Sequence, residues 1–443
     1  MTLKKTQLKA GYAKADITPD FPVPLGGYGN THMRIHETVE TPICAVCVAI
    51  SDGNNTILVY HLDLVSLVEP IVTACKKGIF EATGIPEDNV LLNVTHTHSA
   101  PDLRSELESI RQYTAQLQQA IISLAPLAVA DMENADLQIG AKKLENLNFV
   151  RRYLLSDGSY GGDNFGDFEH NTILDHETEA DRWMQVVRLV RQQKKDILLV
   201  NWQAHPHPMG GPKRKVLTAD IIGKFRAKAE KEHDILFSFC QGCGGNINSN
   251  SRIPGEGYDR DPEAISSAFA AGLSEILSAM RPVRSGPIKV STGIFCGEIN
   301  HRLDHKVEDA EKVLALWEGK TAGGEVKEYA RSLGFNSVYH ANAVVRRSKM
   351  AKSLFYRIGA VSFGDICIVW APNELYDATG SFLKSVLPFE MTFACGYTNG
   401  AYGYMPTRKA FFHSGYGCDT CNYPEGTTEE LMQALYQQGL AVR

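Results

Sequence analysis

The sequence predicts a mixed α/β (α+β) fold, a single integrated domain of large β-sheets flanked by helices. Three observations lead there. Short, densely apolar runs recur from one end of the chain to the other, bounded by Gly-, Asn- and Pro-rich turns. Amphipathic or Ala/Leu-rich stretches of helical period lie between them. No Pro/Ser-rich or charged linker, internal repeat or low-complexity tract divides the chain, so its 443 residues read better as one α/β unit than as a row of small domains.

The strand-like runs, in order, are Ile43 to Ile50, Thr56 to Leu64, Val90 to Thr95, Ile197 to Ala204, Ile235 to Cys240, Ile288 to Ile299, Leu354 to Trp370 and Thr392 to Tyr397. Each is an apolar, largely β-branched or aromatic run, the mark of strands buried on both faces. Leu103, Leu107, Ile110, Tyr113, Leu117, Ile121 and Leu124 form one apolar stripe and predict a helix. Pro262 to Met280 is Ala/Leu-rich and helical. His305 to Leu333 is a long charged helical region broken at Gly323-Gly324.

Composition narrows the function classes. Apolar content of 44% and charged content of 22% are ordinary for a globular chain. A net charge of −6 gives no reason to expect nucleic acid or an anionic membrane as partner. No run approaches the roughly 18 uninterrupted apolar residues of a membrane span, so no stable membrane insertion is expected. The N-terminus has lysines but no apolar segment behind them, so it is not read as a signal peptide, and a cytoplasmic location is expected.

Two histidine pairs carry the chemistry. His96 and His98 end the Val90 run, and His205 and His207 end the Ile197 run. Along a strand, residues i and i+2 point to one side, so each pair is expected to aim two imidazoles at one spot. Neutral imidazole is the usual zinc ligand. Spacing alone leaves two readings open, a metal site fed by two strands or hydrogen-bonded structural pairs. Ten cysteines include three C-x-x-C pairs, Cys44/Cys47, Cys240/Cys243 and Cys418/Cys421. The first reads as core thiols. The other two lie in Gly-rich loops and offer a structural zinc site as an alternative to free thiols. Three more loops stand out. One is Gly- and Asn-rich, Phe239 to Asn250, and lets backbone N–H groups approach a ligand. The second follows an apolar strand with Pro372-Asn-Glu374. The third concentrates tyrosine from Gly396 to Gly417.

Taken together, these segments resemble the neutral/alkaline non-lysosomal ceramidase family, in its N-terminal catalytic domain. Ala10 to Pro19 followed by Leu25-Gly-Gly-Tyr28 is similar to the family's start. Thr95-His-Thr-His-Ser-Ala-Pro101 is close to its THTHSGP motif, and Trp202-Gln-Ala-His205-Pro206 is similar to W-x-A-x-H-P, one residue shorter. Pro372-Asn-Glu374 and Tyr404 with Tyr416 resemble its two late motifs. The resemblance spans nearly the whole chain. It implies one zinc ion held by His96, His205, Glu374 and Tyr404, with His98 beside the metal against substrate and Tyr416 donating to a developing oxyanion. Gly245 and Asn246, in the Gly-Asn loop, and His207 would line the substrate pocket. Arg151 and Arg152 fall where the family places a substrate-side Arg motif.

Two departures shape the expected substrate. The family's catalytic serine is replaced by Asn248 in Gly245-Asn-Ile-Asn248-Ser-Asn250, and an amide cannot be a nucleophile, so a water mechanism is expected. The chain ends soon after Tyr416, so residues 1–443 are expected to be one catalytic domain without the C-terminal immunoglobulin-like domain of full-length ceramidases, which act in sphingolipid metabolism. The expectation is therefore a zinc-dependent amidohydrolase of linear amides. Its partner would be a small-molecule N-acyl substrate, smaller and more polar than ceramide, with homo-oligomerisation left open. The alternatives are a non-catalytic metal-containing binding protein on the same scaffold and a hydrolase of another ester or lactone.

Overall fold

Most of the apolar runs become strands of two sheets packed face to face. The structure, a computed structural model, describes residues 6–28, 34–211, 213–318, 320 and 322–443. The larger, nine-stranded sheet has the order Ile235–Gln241, Asp196–Trp202, Trp183–Arg191, Glu133–Lys143, Leu8–Asp16, Cys44–Ser51, Thr56–Leu62, Val90–Val94, with a short strand Arg281–Pro282 on the side of Glu133–Lys143. Its two ends are parallel pairs and its middle is antiparallel. The smaller sheet runs Ile288–Glu298, Ser353–Phe363, Ile366–Trp370, Met391–Cys395, with the last two strands parallel.

The core between the sheets joins Val46, Val48, Ile197 and Leu199 to Val361, Ile368, Trp370 and Phe393. The opposite face of the large sheet is covered in two places. Helices Glu69–Thr83 and Glu108–Ala130 bring Ile79, Leu117, Ile121 and Leu124 onto Tyr60, Leu62 and Leu92. Helices Asp220–Glu232 and Pro262–Ser278 bring Phe225 and Phe269 onto Trp202, Phe237 and Phe239. Pro262 opens the second of these helices, where its missing N–H costs nothing. Asp261 caps it by accepting from the N–H groups of Glu263 and Ala264.

The large sheet curls until its two end strands lie side by side. The Gln241 N–H donates to Asn93 Oδ1 at 2.7 Å, and Asn93 Nδ2 reaches the Gly396 carbonyl at 2.9 Å. Side-chain amides thus bridge the seam that backbone ladders leave open. The ends of the Val90–Val94 and Asp196–Trp202 strands, remote in strand order, come together there.

Several expectations need correcting. Leu354 to Trp370 is a hairpin that turns at Gly364, whose φ of +82° suits glycine. Leu8–Asp16, Glu133–Lys143 and Trp183–Arg191 are long strands absent from the sequence reading. Trp183–Arg191 alternates buried and less buried residues, and polar residues along all three dilute the apolar signal. The apolar stripe from Leu103 starts its helix only at Glu108, and Leu107 is exposed. The break at Gly323-Gly324 is real: helices Val307–Trp317 and Glu325–Ser332 flank it. With Val338–Ser348 they enclose a small core of their own around Phe335 and Val344. Among the described residues, no helix is long and apolar enough to cross a membrane.

Candidate metal centre

His96 leaves the Val90–Val94 strand in the left-handed region, at φ +65°, where a residue with a side chain sits only if its surroundings hold it. Its N–H donates to the Leu64 carbonyl at 2.9 Å, and its Nδ1 lies 2.6 Å from the Val65 carbonyl. His205 arrives differently. It forms an isolated parallel bridge with Asn248, its N–H donates to the Ile247 carbonyl at 2.9 Å, and its Nδ1 lies 2.9 Å from that same oxygen. The expected strand alternation is therefore not what aims these rings, because each pair lies past the end of its strand.

A carbonyl oxygen only accepts, so each ring carries a proton on Nδ1 and turns its Nε2 inward. Those two Nε2 atoms face Glu374 Oε2, at 3.4 Å from His96 and 3.6 Å from His205. His205 Nε2 and Glu374 Oε2 are buried with no hydrogen-bond partner. Burial pushes His205 down to about 4, with Arg151 adding to the shift, so it is neutral near pH 7. Burial raises the Glu374 carboxyl, but His96 and His205 outweigh it and hold the group well below the usual carboxylate range. Two imidazole Nε2 atoms and a carboxylate thus converge, and His205 Nε2 and Glu374 Oε2 have no hydrogen-bond partner, an arrangement that a bound cation stabilises. His98 joins them: its Nε2 is 3.2 Å from His96 Nε2. The ligand atoms of His96, His98 and His205 all lie within 4.8 Å of one another. Among the described residues this is the one such cluster of three or more metal-ligating side chains. Cys240, Cys243, Cys418 and Cys421 are free thiols and form no comparable group.

Glu374 is placed by a short parallel pairing in which it sits opposite Tyr404. The turn at Gly245 packs against it so closely that a Cβ there would lie 2.5 Å from the Glu374 carbonyl, so only glycine fits. Tyr404 accepts a hydrogen bond from Arg151 Nη2 at 3.1 Å, and its ring meets Tyr416 edge-on at 5.8 Å. Burial raises both phenols, Glu374 adds to the shift at each, and Tyr416 therefore stays a protonated donor. Arg151 also donates to the Gly245 carbonyl at 2.7 Å and pairs with Asp163 at 3.4 Å. Asn248 Nδ2 donates to Asp163 at 3.3 Å, while its Oδ1 is buried and unpartnered. His207 stands 5.8 Å from the His98 ring, its Nδ1 also unpartnered; burial lowers its pKa well below the usual value.

Two predicted substrate contacts are committed elsewhere. The Asn246 amide donates to Asp377 Oδ1 at 2.7 Å and accepts from the Asp377 N–H at 2.9 Å, so it anchors the loop from behind. Arg152 forms a fork with Glu177 at 2.6 and 3.2 Å and donates to the Ala410 carbonyl, which leaves one nitrogen, Nη1, buried and spare. The sequence reading missed Gln241. Its Nε2 donates to the carbonyls of Thr95 at 3.0 Å and Ala204 at 2.7 Å, the residues just before His96 and His205. It also missed Asp163, which gathers Arg151, Asn248 and Arg252. Neither belongs to a local motif, and each depends on segments far apart in sequence.

This architecture has solved counterparts. Neutral ceramidase from Pseudomonas aeruginosa superposes with a TM-score of 0.72 at 17% identity, over 99% of this chain and 75% of that one. The fold is that of neutral ceramidase. A ceramidase complexed with C2 gives a TM-score of 0.73 at 17% identity over the same shares. No protein-family model and no curated protein matches the sequence.

Proposed function

We propose that the protein is a zinc-dependent amidohydrolase, a ceramidase-like enzyme whose residues 1–443 form one catalytic domain. It would cleave the N-acyl bond of a linear amide smaller and more polar than ceramide. The observation that carries this reading is the convergence of His96 Nε2, His205 Nε2 and Glu374 Oε2, the last two buried with no hydrogen-bond partner. Two histidines and a carboxylate, with Tyr404 beside them, are a zinc-type donor set, and the carbonyl partners of both Nδ1 atoms supply the outer support such ligands need. When bound, zinc would supply Lewis acidity toward the carbonyl and a water acidic enough to ionise near neutral pH.

The chain's own groups then have distinct tasks. His98, held neutral by burial and by the neighbouring His96 and with Nδ1 unpartnered, would face the substrate carbonyl. Tyr416 donates its phenolic proton in a hydrogen bond to the oxyanion that develops, and Arg151 beneath both tyrosine rings adds positive charge there. Asn248 can orient but not attack, which favours water as nucleophile. In the test, purified protein carries about one zinc per chain and releases free amine from short N-acyl compounds. A zinc-replete protein that cleaves no amide in a broad panel would instead be a binding protein on this scaffold.

A further inference from the structure

A second cavity lies outside this centre. Its volume is about 430 Å³, and its walls include Tyr160, Phe165, Arg331, Asn336, Phe412 and His413. That is enough for a small organic ligand. Three of the six are aromatic carbocycles, and Tyr160 stacks on the His413 ring at 3.8 Å and 8°. The charged members do not balance. No Asp or Glu lines the cavity. Glu177, just behind, is already taken by Arg152 and by His413 Nδ1 at 2.5 Å. Asp419 is held by both hydrogen bonds of the Asn336 amide, at 2.9 and 3.0 Å. Arg331 makes one long hydrogen bond, 3.4 Å to the Gly166 carbonyl, and no ion pair joins it to a carboxylate among the described residues. A guanidinium on the wall of an aromatic cavity, with no carboxylate on its fork, is suited to a carboxylate on an apolar body.

The cavity also borders the catalytic groups. Phe165 lines it and also lines a small inner cavity with Arg151, Arg152, Asp163 and Tyr416. Ser414 lines the outer space and Tyr416, two residues on, the inner one. Between them Gly415 lacks a side chain where one is excluded: a Cβ there would meet Arg152 Nη1 and the Phe165 ring, each at 2.7 Å. Arg152 Nη1, the spare buried donor of that residue, packs with Gly415 and Phe165 in the wall between the outer cavity and Tyr416.

We propose that this cavity is a subsite for the carboxylate-bearing end of the substrate, anchored by Arg331, so that the amide cleaved is an N-acyl amino acid or a closely related small anionic amide. The proposal rests on the amidase reading for the role of the ligand, but ligand binding itself does not depend on turnover. Arg331 stands on helix Glu325–Ser332, so the charged helical excursion acquires a part in recognition that the metal centre alone does not require.

The test uses N-acetyl-phenylalanine and its uncharged carboxamide as matched probes, titrated calorimetrically into the full chain. The carboxylate is expected to bind at least about 10-fold more tightly. Arg331→Ala, at an exposed position, should erase the preference, and Arg331→Lys, which keeps charge without the fork, should restore part of it. Equal binding of the two probes, no binding of either, or a preference that survives Arg331→Ala would overturn the proposal. Hydrolysis of the same pair separates the two readings. Cleavage of both with no discrimination, unaffected by Arg331→Ala, would leave the amidase standing and remove the subsite. Selective binding without cleavage of any amide would do the reverse.

Discussion

The two histidine pairs look alike in sequence, yet within each pair the members differ more than the pairs do from each other. The leading histidines, His96 and His205, both have Nδ1 fixed on a backbone carbonyl and Nε2 turned to Glu374. The trailing ones, His98 and His207, both have Nδ1 buried without a partner and no contact with Glu374. The backbone reaches this shared result by two routes, a left-handed residue at His96 and a β-bridge at His205. What assigns a ligand is therefore the second nitrogen. A ring whose Nδ1 is pinned is fixed in orientation with Nε2 turned to the centre, and a ring with a free Nδ1 lacks that constraint.

The sharpest way to break that comparison is to delete one member of a pair at a time. His205→Ala or His96→Ala should lose stoichiometric zinc, measured by elemental analysis, and activity with it, whereas His207→Ala should keep the metal. Equal metal loss in all three would end the distinction. Glu374→Gln tests the facing lone pairs directly. The amide can donate to a histidine Nε2, so chelator-treated Glu374→Gln should be more stable than chelator-treated wild type by about 1–3 kcal/mol, while its zinc affinity falls. A metal-free variant that melts below wild type would argue against convergence of unprotonated groups.

Gln241→Ala removes the one amide that ties both segments, at Thr95 and Ala204. It should cost about 1–3 kcal/mol in urea denaturation and weaken zinc binding by about 10- to 100-fold with all ligands intact. A pH effect separates the pairs further. Asp220 accepts from the Met209 N–H at 3.1 Å and so holds the loop after His207, and burial pushes its carboxyl up to about 7. The folded state binds this proton more tightly than the unfolded chain. Its stabilising contribution is therefore full below about pH 4 and is lost as pH rises through about 7, on the order of 4 kcal/mol. Asp220→Asn should flatten this part of the stability profile between pH 5 and 8, and an unchanged slope would rule out the assignment. The smallest effect is expected for His207→Ala on the kcat/KM of a neutral substrate, less than about 10-fold.

Much of the fold was legible because fully buried strands advertise themselves. Cys44–Ser51, Ile366–Trp370 and Met391–Cys395 are buried at every position, and their sequences are correspondingly apolar. Leu8–Asp16 and Glu133–Lys143 escaped notice because lysines, acids and amides interrupt their apolar residues. The histidines and Glu374 were conspicuous at strand exits. Gln241, Asp163 and Arg331 were not, since an isolated polar residue has no periodicity to betray it and its partners lie far off in the chain.

The sequence by itself determined the chemical inventory: which residue types could bind a metal, which segments had to be buried, and that helices would cover the sheets. Local side-chain character and period carry that information. Only the tertiary structure decided how the inventory is used. The curl of the large sheet brings strand ends from opposite sides of its order to the Asn93–Gln241 seam, and the segment after Ile366–Trp370 adds Glu374. Hydrogen bonds donated by the two Nδ1 atoms to the carbonyls of Val65 and Ile247 fix the rings that make these motifs into one candidate metal centre.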